Sequence, residues 1–279
     1  MASSRRAPGR TWGVGRIFLY LALGLLVALV TMLVTAPASL VDLGLKQATD
    51  GRVRLADAAG SIWTGQGRVV LVDVRAEEEL AQRAASGRAP ASLPGVVVPG
   101  TIRWQISPLP LLMGRLQATA SHESMARPVV LAGTAARLQV TGGSLQLPNV
   151  NLARLGSPWT TIRPTASLGV TWQPIVIEGG RFSGQAVLEL RDVASALTPV
   201  RPLGAYRVDI DGTGAATGIR MSSLEGPLRL SGEGNFTPRA GLRFTAYAEA
   251  DEAERLRLQS LLGLLGRRDG TRTMIKIGA

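Results

Sequence analysis

Residues 17–36, IFLYLALGLLVALVTMLVTA, form an uninterrupted run without a charge, and no other stretch restricts the folding of this chain so strongly. At about 1.5 Å rise per residue such a run reaches about 30 Å, the depth of a bilayer's hydrocarbon core. Backbone groups there must be satisfied within the segment itself, and the Leu, Ala and Val content suits a helix. Arg5, Arg6, Arg10 and Arg16 precede the run, with no acid among them. The excess of positive charge predicts that this end stays cytoplasmic and that the chain from residue 37 onward lies across the membrane. The expected division is therefore a basic cytoplasmic tail at 1–16, a transmembrane helix at 17–36 and a translocated domain at 37–279. A cleaved signal peptide fits less well. The small residues of APAS (36–39) include Pro37 inside the would-be cleavage site, and the apolar run is longer than the usual core of such peptides.

The 37–279 portion is long enough to bury a core of its own. Short runs of alternating apolar and polar residues recur along it: 52–57, 68–74, 101–107, 115–121, 129–140, 144–147, 166–172, 181–190, 205–211, 228–232 and 242–248. Glycine or proline marks the gaps, as in DG (50–51), TGG (141–143), EGG (178–180), DGTG (211–214) and EGP (225–227). Strands of this length, separated by turn residues and not by long helices, predict a mainly β fold built of antiparallel meanders, either a sandwich or a curved open sheet.

Three stretches break the rhythm. PASLVDLGLKQA (37–48) predicts a short helix just outside the membrane. AEEELAQRAASGRAPASLP (76–94), rich in alanine and charge and ended by proline, reads as an exposed excursion. EADEAERLRLQSLLGLLGRRDG (249–270) predicts a short C-terminal helix with Asp251 as its cap and Gly266, Arg267 and Arg268 at its end. Leu258, Leu261, Leu262 and Leu265 fall on one face of that helix, which should pack on the sheet.

The residues offer no reactive constellation. There is no cysteine, which removes disulfides and thiolate chemistry. His122, in SHESM, is the single histidine, and no Gly-x-Ser-x-Gly elbow exists to pair with it, so it reads as a solvated loop residue. One histidine cannot set a metal-ligand spacing. DIDG (209–212) lacks the closing glutamate of a calcium loop. Glu77, Glu78 and Glu79 are adjacent, so their carboxylates do not converge on a substrate. No enzyme activity, cofactor or metal is expected. The net charge is +11, of which +7 remains once the four arginines before the apolar run are set aside. Anionic lipid head groups or acidic protein faces suit that charge beyond a membrane, and nucleic acid is not expected there.

After the apolar run come ADAAGSIWTGQGRVVL (56–71), GTIRWQISPLPLLMGRLQATA (100–120) and, near the end, LQSLLGLLGRRDG (258–270), an order of motifs that resembles the type II secretion system protein N family. The first element matches at Gly60, Ile62, Trp63 and Gly65. A second, GTIRWQISPLPLLMGRL, matches at Trp104, Ile106, Pro108, Leu111, Leu112, Gly114 and Leu116. The ending matches at Leu261, Leu262, Leu265, Gly266, Asp269 and Gly270. These are framework residues, not catalytic ones. The resemblance implies a single-pass inner-membrane protein with a periplasmic β-rich domain, serving export of folded proteins across the outer membrane through contacts with other inner-membrane platform proteins. It brings no enzymatic activity. Framework roles are expected at the second element: Trp104 between sheet layers, with Leu111 and Leu112 plugging the end of the sheet. A lipid or hydrophobic-substrate carrier with an open β groove, anchored in the inner membrane, is the competing plan. A carrier leaves an apolar channel open, whereas a scaffold closes it with side chains such as Trp63, Trp104 and Trp172.

Overall fold

The computed structural model describes residues 12–72, 95–154, 159–237 and 241–278. The excursion expected at 76–94, with Glu77, Glu78 and Glu79, and the arginines Arg5, Arg6 and Arg10 lie outside the described residues. Two compact units divide between Pro37 and Ala38.

The first unit holds helix α1 (Trp12–Val34). Phe18, Leu19, Tyr20, Leu23, Leu25 and Val27 project from successive sides of it and are all exposed. The hydroxyl of Thr31 donates to the carbonyl of Val27 at 2.8 Å, so this polar side chain is satisfied within the helix. Side chains are described in α1 for residues 18–28, 31, 32 and 34. Among the described residues no helix is long and apolar enough to cross a membrane.

The second unit begins with α2 (Ser39–Ala48), followed by β1 (Val53–Gly60), β2 (Thr64–Val72), β3 (Gly95–Val97) and β4 (Ile102–Ile106). A short helix, α3 (Pro108–Leu112), leads into β5 (Leu116–His122), β6 (Val129–Gly133), β7 (Arg137–Val140) and β8 (Gly143–Asn151). After α4 (Trp159–Ile162) come β9 (Pro164–Trp172), β10 (Ile175–Glu178), β11 (Arg181–Ser195), β12 (Gly204–Thr213), β13 (Thr217–Glu225), β14 (Leu228–Thr237) and β15 (Gly241–Ala250). The chain continues through α5 (Arg255–Leu265), β16 (Arg267–Asp269) and β17 (Arg272–Ile277).

All strand pairings are antiparallel. The ladder runs β1–β2–β4–β5–β6–β7–β10–β11–β12–β13–β14–β15–β17–β16. Strand β3 lies beside the far half of β2, and the β8–β9 pair joins the free edge of β11. Among the described residues all 17 strands belong to one hydrogen-bonded sheet, which favours the open sheet over two separately paired layers. Among the described residues β1 pairs only with β2, and β16 only with β17, which leaves the ladder unclosed.

The strand expected across 129–140 is two strands. Thr134 and Arg137 exchange backbone hydrogen bonds and turn the chain back between β6 and β7. Strand β13 was not expected. Its sequence TGIRMSSLE places Gly218, Ser222 and Ser223 beside Ile219 and Met221, which dilutes the alternation. At the C-terminal helix, the Asp251 side chain makes no cap hydrogen bond and pairs instead with Arg229 at 2.9 Å. A 3-10 turn, Glu252–Glu254, intervenes before Arg255. Arg267 and Arg268 belong to β16, because Gly266 is extended and takes the chain straight into a strand.

Helices cover the sheet at two places. On one, Leu258 and Leu261 of α5 are fully buried against Leu228, Ala248 and Ala250, with Leu262 and Leu265 packed beside them. Each such leucine contributes about 1.5–3 kcal/mol by leaving water. On the other, Ala38 joins Leu55 and Trp104, and Val41 of α2 packs on them. Asp42 ties α2 to β1: it accepts Arg54 Nη2 at 3.0 Å and the backbone N–H of Leu55 at 2.7 Å.

Leu258→Ala should lower the stability of the folded unit by about 2–5 kcal/mol in denaturant titration, the usual cost of emptying a buried leucine site. The Arg54 guanidinium, assisted by the Leu55 amide, holds the Asp42 carboxyl below its ordinary value against the opposing effect of burial. A depressed folded pKa stabilises above the unfolded carboxylate range and is lost as pH falls through the folded value. The unfolding midpoint should therefore fall on acidification below about pH 4, the unfolded aspartate value. Asp42→Asn should cost about 1–3 kcal/mol at neutral pH and flatten that acid limb.

Candidate functional site

Antiparallel partners directly opposite one another share a face, and neighbours along a strand do not. One cross-strand row therefore reads Trp172, Ala186, Ile210, Ile219, Gly234 and Phe244. The row one residue along, on the opposite face, reads Val187, Asp209, Arg220, Glu233, Thr245 and Lys276. The same division extends toward β4, where Trp104, Ala120 and Val129 line up on one face while Arg103 and Ser121 occupy the other. One side of this sheet is apolar over nearly its whole length. The other carries ion pairs, such as Arg207 with Asp209 at 2.9 Å and Arg272 with Glu249 at 3.2 Å.

The apolar side is covered at the α2 end and the α5 end, and less so between. There, Ile175, Phe182, Ala186, Ile210, Ile219 and Phe236 border a hollow of about 390 Å³. None of these six belongs to the buried clusters formed by the described residues. Phe236 is 39% exposed, large for an aromatic side chain on the inner face of a sheet. This uncovered strip is the candidate site. Sequence reasoning did not single it out, although the alternation in GGRFSGQAVLEL (179–190) carries Phe182, Ala186, Leu188 and Leu190 toward it.

The residues of the first two sequence motifs come together at the α2 end. Gly60 pairs with Gly65, and Gly65 with Trp104. The carbonyl of Trp63 accepts the Ile106 N–H at 2.7 Å. Pro108 opens α3, Leu111 lies in its last turn, and Gly114, at φ +71, reverses the chain toward β5. Gly65 is small for a packing reason: a Cβ built there would stand 2.8 Å from Cε2 of Trp104. The third motif lies elsewhere in the ladder. Leu262 packs beside the α5 cluster, Gly266 follows that helix, and Asp269 and Gly270 form the turn from β16 to β17.

Three expectations need correction. Trp104 is buried, but among the described residues no second sheet faces it; it packs with Ala38 and Val41 because α2 folds back over β1. Leu111 and Leu112 do not plug the sheet. The prolines start a helical turn that carries Leu109, Leu111, Leu112 and Met113 outward, with Leu112 78% exposed. His122 is the last residue of β5, not a solvated loop residue. Its Nδ1 accepts the Ser124 N–H at 3.0 Å, and its Nε2 is a buried atom without a partner among the described residues. Of the other tryptophans, Trp172 donates its indole N–H to Thr141 at 2.9 Å from within the apolar face, and Trp63 sits in the turn between β1 and β2. Among the described residues no group of three His, Asp or Glu side chains gathers as a metal site.

Gly65→Ala should destabilise the fold by about 1–3 kcal/mol, the cost of overpacking against the Trp104 ring. Trp104→Ala should cost about 3–5 kcal/mol. In the double variant the two losses should fall short of their sum by at least about 0.5 kcal/mol, since removing the ring opens the space a Cβ needs. Additive losses in denaturant titrations would refute the contact.

No curated protein matches the chain. No solved structure matches it either. The family described as Type II secretion system (T2SS), protein N, has a model that matches residues 51–275. That span takes in all three motifs and every strand of the sheet but the last two residues of β17. The chain therefore belongs to the type II secretion system protein N family, an envelope-associated component of protein transport.

Proposed function

We propose that this chain is a non-enzymatic inner-membrane component of type II secretion that works through contacts made by its periplasmic sheet. Membership of the family supports the secretion role. The uninterrupted apolar run of residues 17–36, preceded by four arginines, supports a single anchor with the N-terminus in the cytoplasm. Exposed apolar side chains along α1 fit a lipid environment better than water.

The observation that carries the mode of action is the partly uncovered apolar face. A protein that leaves Phe182, Ile210, Ile219 and Phe236 beside an open hollow gains free energy when something covers them. In the proposed role the cover is another inner-membrane platform protein. The sheet supplies a broad rigid surface, and the ion-paired opposite side keeps the body soluble and correctly registered.

The hollow itself favours a second reading. Its volume of about 390 Å³ and its apolar lining fall in the range of small-ligand sites. A lipid or other hydrophobic substrate lying along the sheet would be bound by this same strip.

Ile210→Glu places a charge in the strip, and secretion of an exported enzyme into the medium should fall sharply while the protein still accumulates in the membrane. Gln185→Lys, on the exposed opposite face, should leave secretion unchanged. A photo-crosslinker at Ile219 should then capture a platform protein. Native mass spectrometry that instead finds lipid bound to the wild type, and lost from Ile210→Glu, would select the carrier reading. Normal secretion by Ile210→Glu would dismiss the strip as the working surface.

A further inference from the structure

We propose that the α3 turn is a membrane-docking element that inserts into the headgroup and upper acyl region of the bilayer holding the anchor. The inference rests on the membrane anchoring proposed above.

Its apolar side chains are turned outward without a counterpart among the described residues. Leu109 is 69% exposed, Leu112 78% and Met113 76%. Between Ser107 and Gly114 there is no charged side chain, and the tip of the turn offers no polar group by which a protein partner could be held in register. Isolated surface leucines are ordinary, but several on one five-residue helix are not.

Two further observations favour a lipid surface. The first is reach. Four residues lead from Val34, the end of α1, to Ala38, a tether of at most about 14 Å. The Ala38 N–H donates to Gly60 at 3.1 Å, and the Ile106 N–H, two residues before α3, donates to Trp63 at 2.7 Å. The first residue of this unit and the base of α3 therefore share one corner of the sheet, at the β1–β2 turn. The length of that connecting chain sets the longest separation between the end of α1 and this corner. The second is charge. No acid occurs between residues 80 and 122, whereas Arg103 and Arg115 flank the turn. Both are exposed, and their sign complements anionic phospholipid. An apolar wedge bordered by arginine is the pattern of an interfacial element.

The full chain has no cysteine, so single cysteines can be introduced for spin labelling without removing any. Leu112→Cys, Gln185→Cys and Leu25→Cys would be labelled separately and reconstituted in vesicles of phosphatidylethanolamine and phosphatidylglycerol. Accessibility to oxygen and to a water-soluble nickel chelate then reports depth. The label at 112 should lie about 5–10 Å below the headgroups, the depth of an interfacial element, while the label at 185 reads as water-exposed. A label at 112 as accessible to nickel as that at 185 overturns the proposal. So does one shielded from both reagents, which would mean a protein cover. The label at 25 tests the anchor separately: if it reads as aqueous, the anchoring falls, and the reading at 112 still decides for or against the docking of α3.

Discussion

Everything in the second unit depends on one constraint, the common phase that its antiparallel ladder keeps between local register shifts such as those at Ala56–Ala59 and Leu190–Val193. Side chains alternate across a sheet with period two, so a slip of one residue in any pairing would exchange the faces of every strand beyond it. Here the phase holds from the Trp104–Ala120 pair through Leu138–Ile177 to Gly234–Phe244. Short strands that individually bury little thus sum to one long apolar side. The polar side holds cross-strand charge pairs, Glu189 opposite Arg207 and Asp209 opposite Arg220, which would meet apolar partners in a shifted register.

A sheet with one apolar side has to be covered or occupied. At the β14–β15–β17 end the chain supplies its own cover, α5, whose Leu258 and Leu261 displace water completely. At the β1–β2–β4 end the cover is α2, held down by Asp42 on Arg54 and Leu55. The close Gly65–Trp104 approach belongs to this second closure: a side chain at 65 would push the indole out of the pocket that Ala38 seals. Among the described residues no such cover lies over the stretch around Ile210 and Ile219, and for that reason it is read as the working surface. Framework and proposed working surface are thus divided along the ladder, with the family motifs at its two covered ends and the open strip between them.

Much of this was legible in the chain. Ile102, Trp104 and Ile106 alternate as strictly in sequence as they do in β4, and the leucine spacing of 258, 261, 262 and 265 reported the buried face of α5. What escaped were places where local pattern and tertiary context disagree. The leucines after Pro108 look like core by composition, yet two prolines set a helical turn at the end of a strand, where none of the described residues buries Leu109 or Leu112. His122 looks like a loop residue between Ser121 and Glu123, but the pairing of β5 with β4 places its ring on the apolar side opposite Ile102. Strand β13 hides its alternation behind serines and a glycine, and with it Ile219, one of the residues that define the candidate strip.

By itself the sequence determined most of the strands, the helices α2 and α5 and the family, because these are written in local spacing: period-two alternation, turn residues, a helical leucine stripe and short motifs of glycine and tryptophan. It also determined that most strands would have one apolar side. Only the tertiary structure decided that these sides join into one surface, since a single open sheet and a two-layered sandwich demand the same alternation. It alone decided which apolar residues stay uncovered. Burial depends on where α2 and α5 fold back, a distance set by contacts far apart in the chain and invisible to any local pattern.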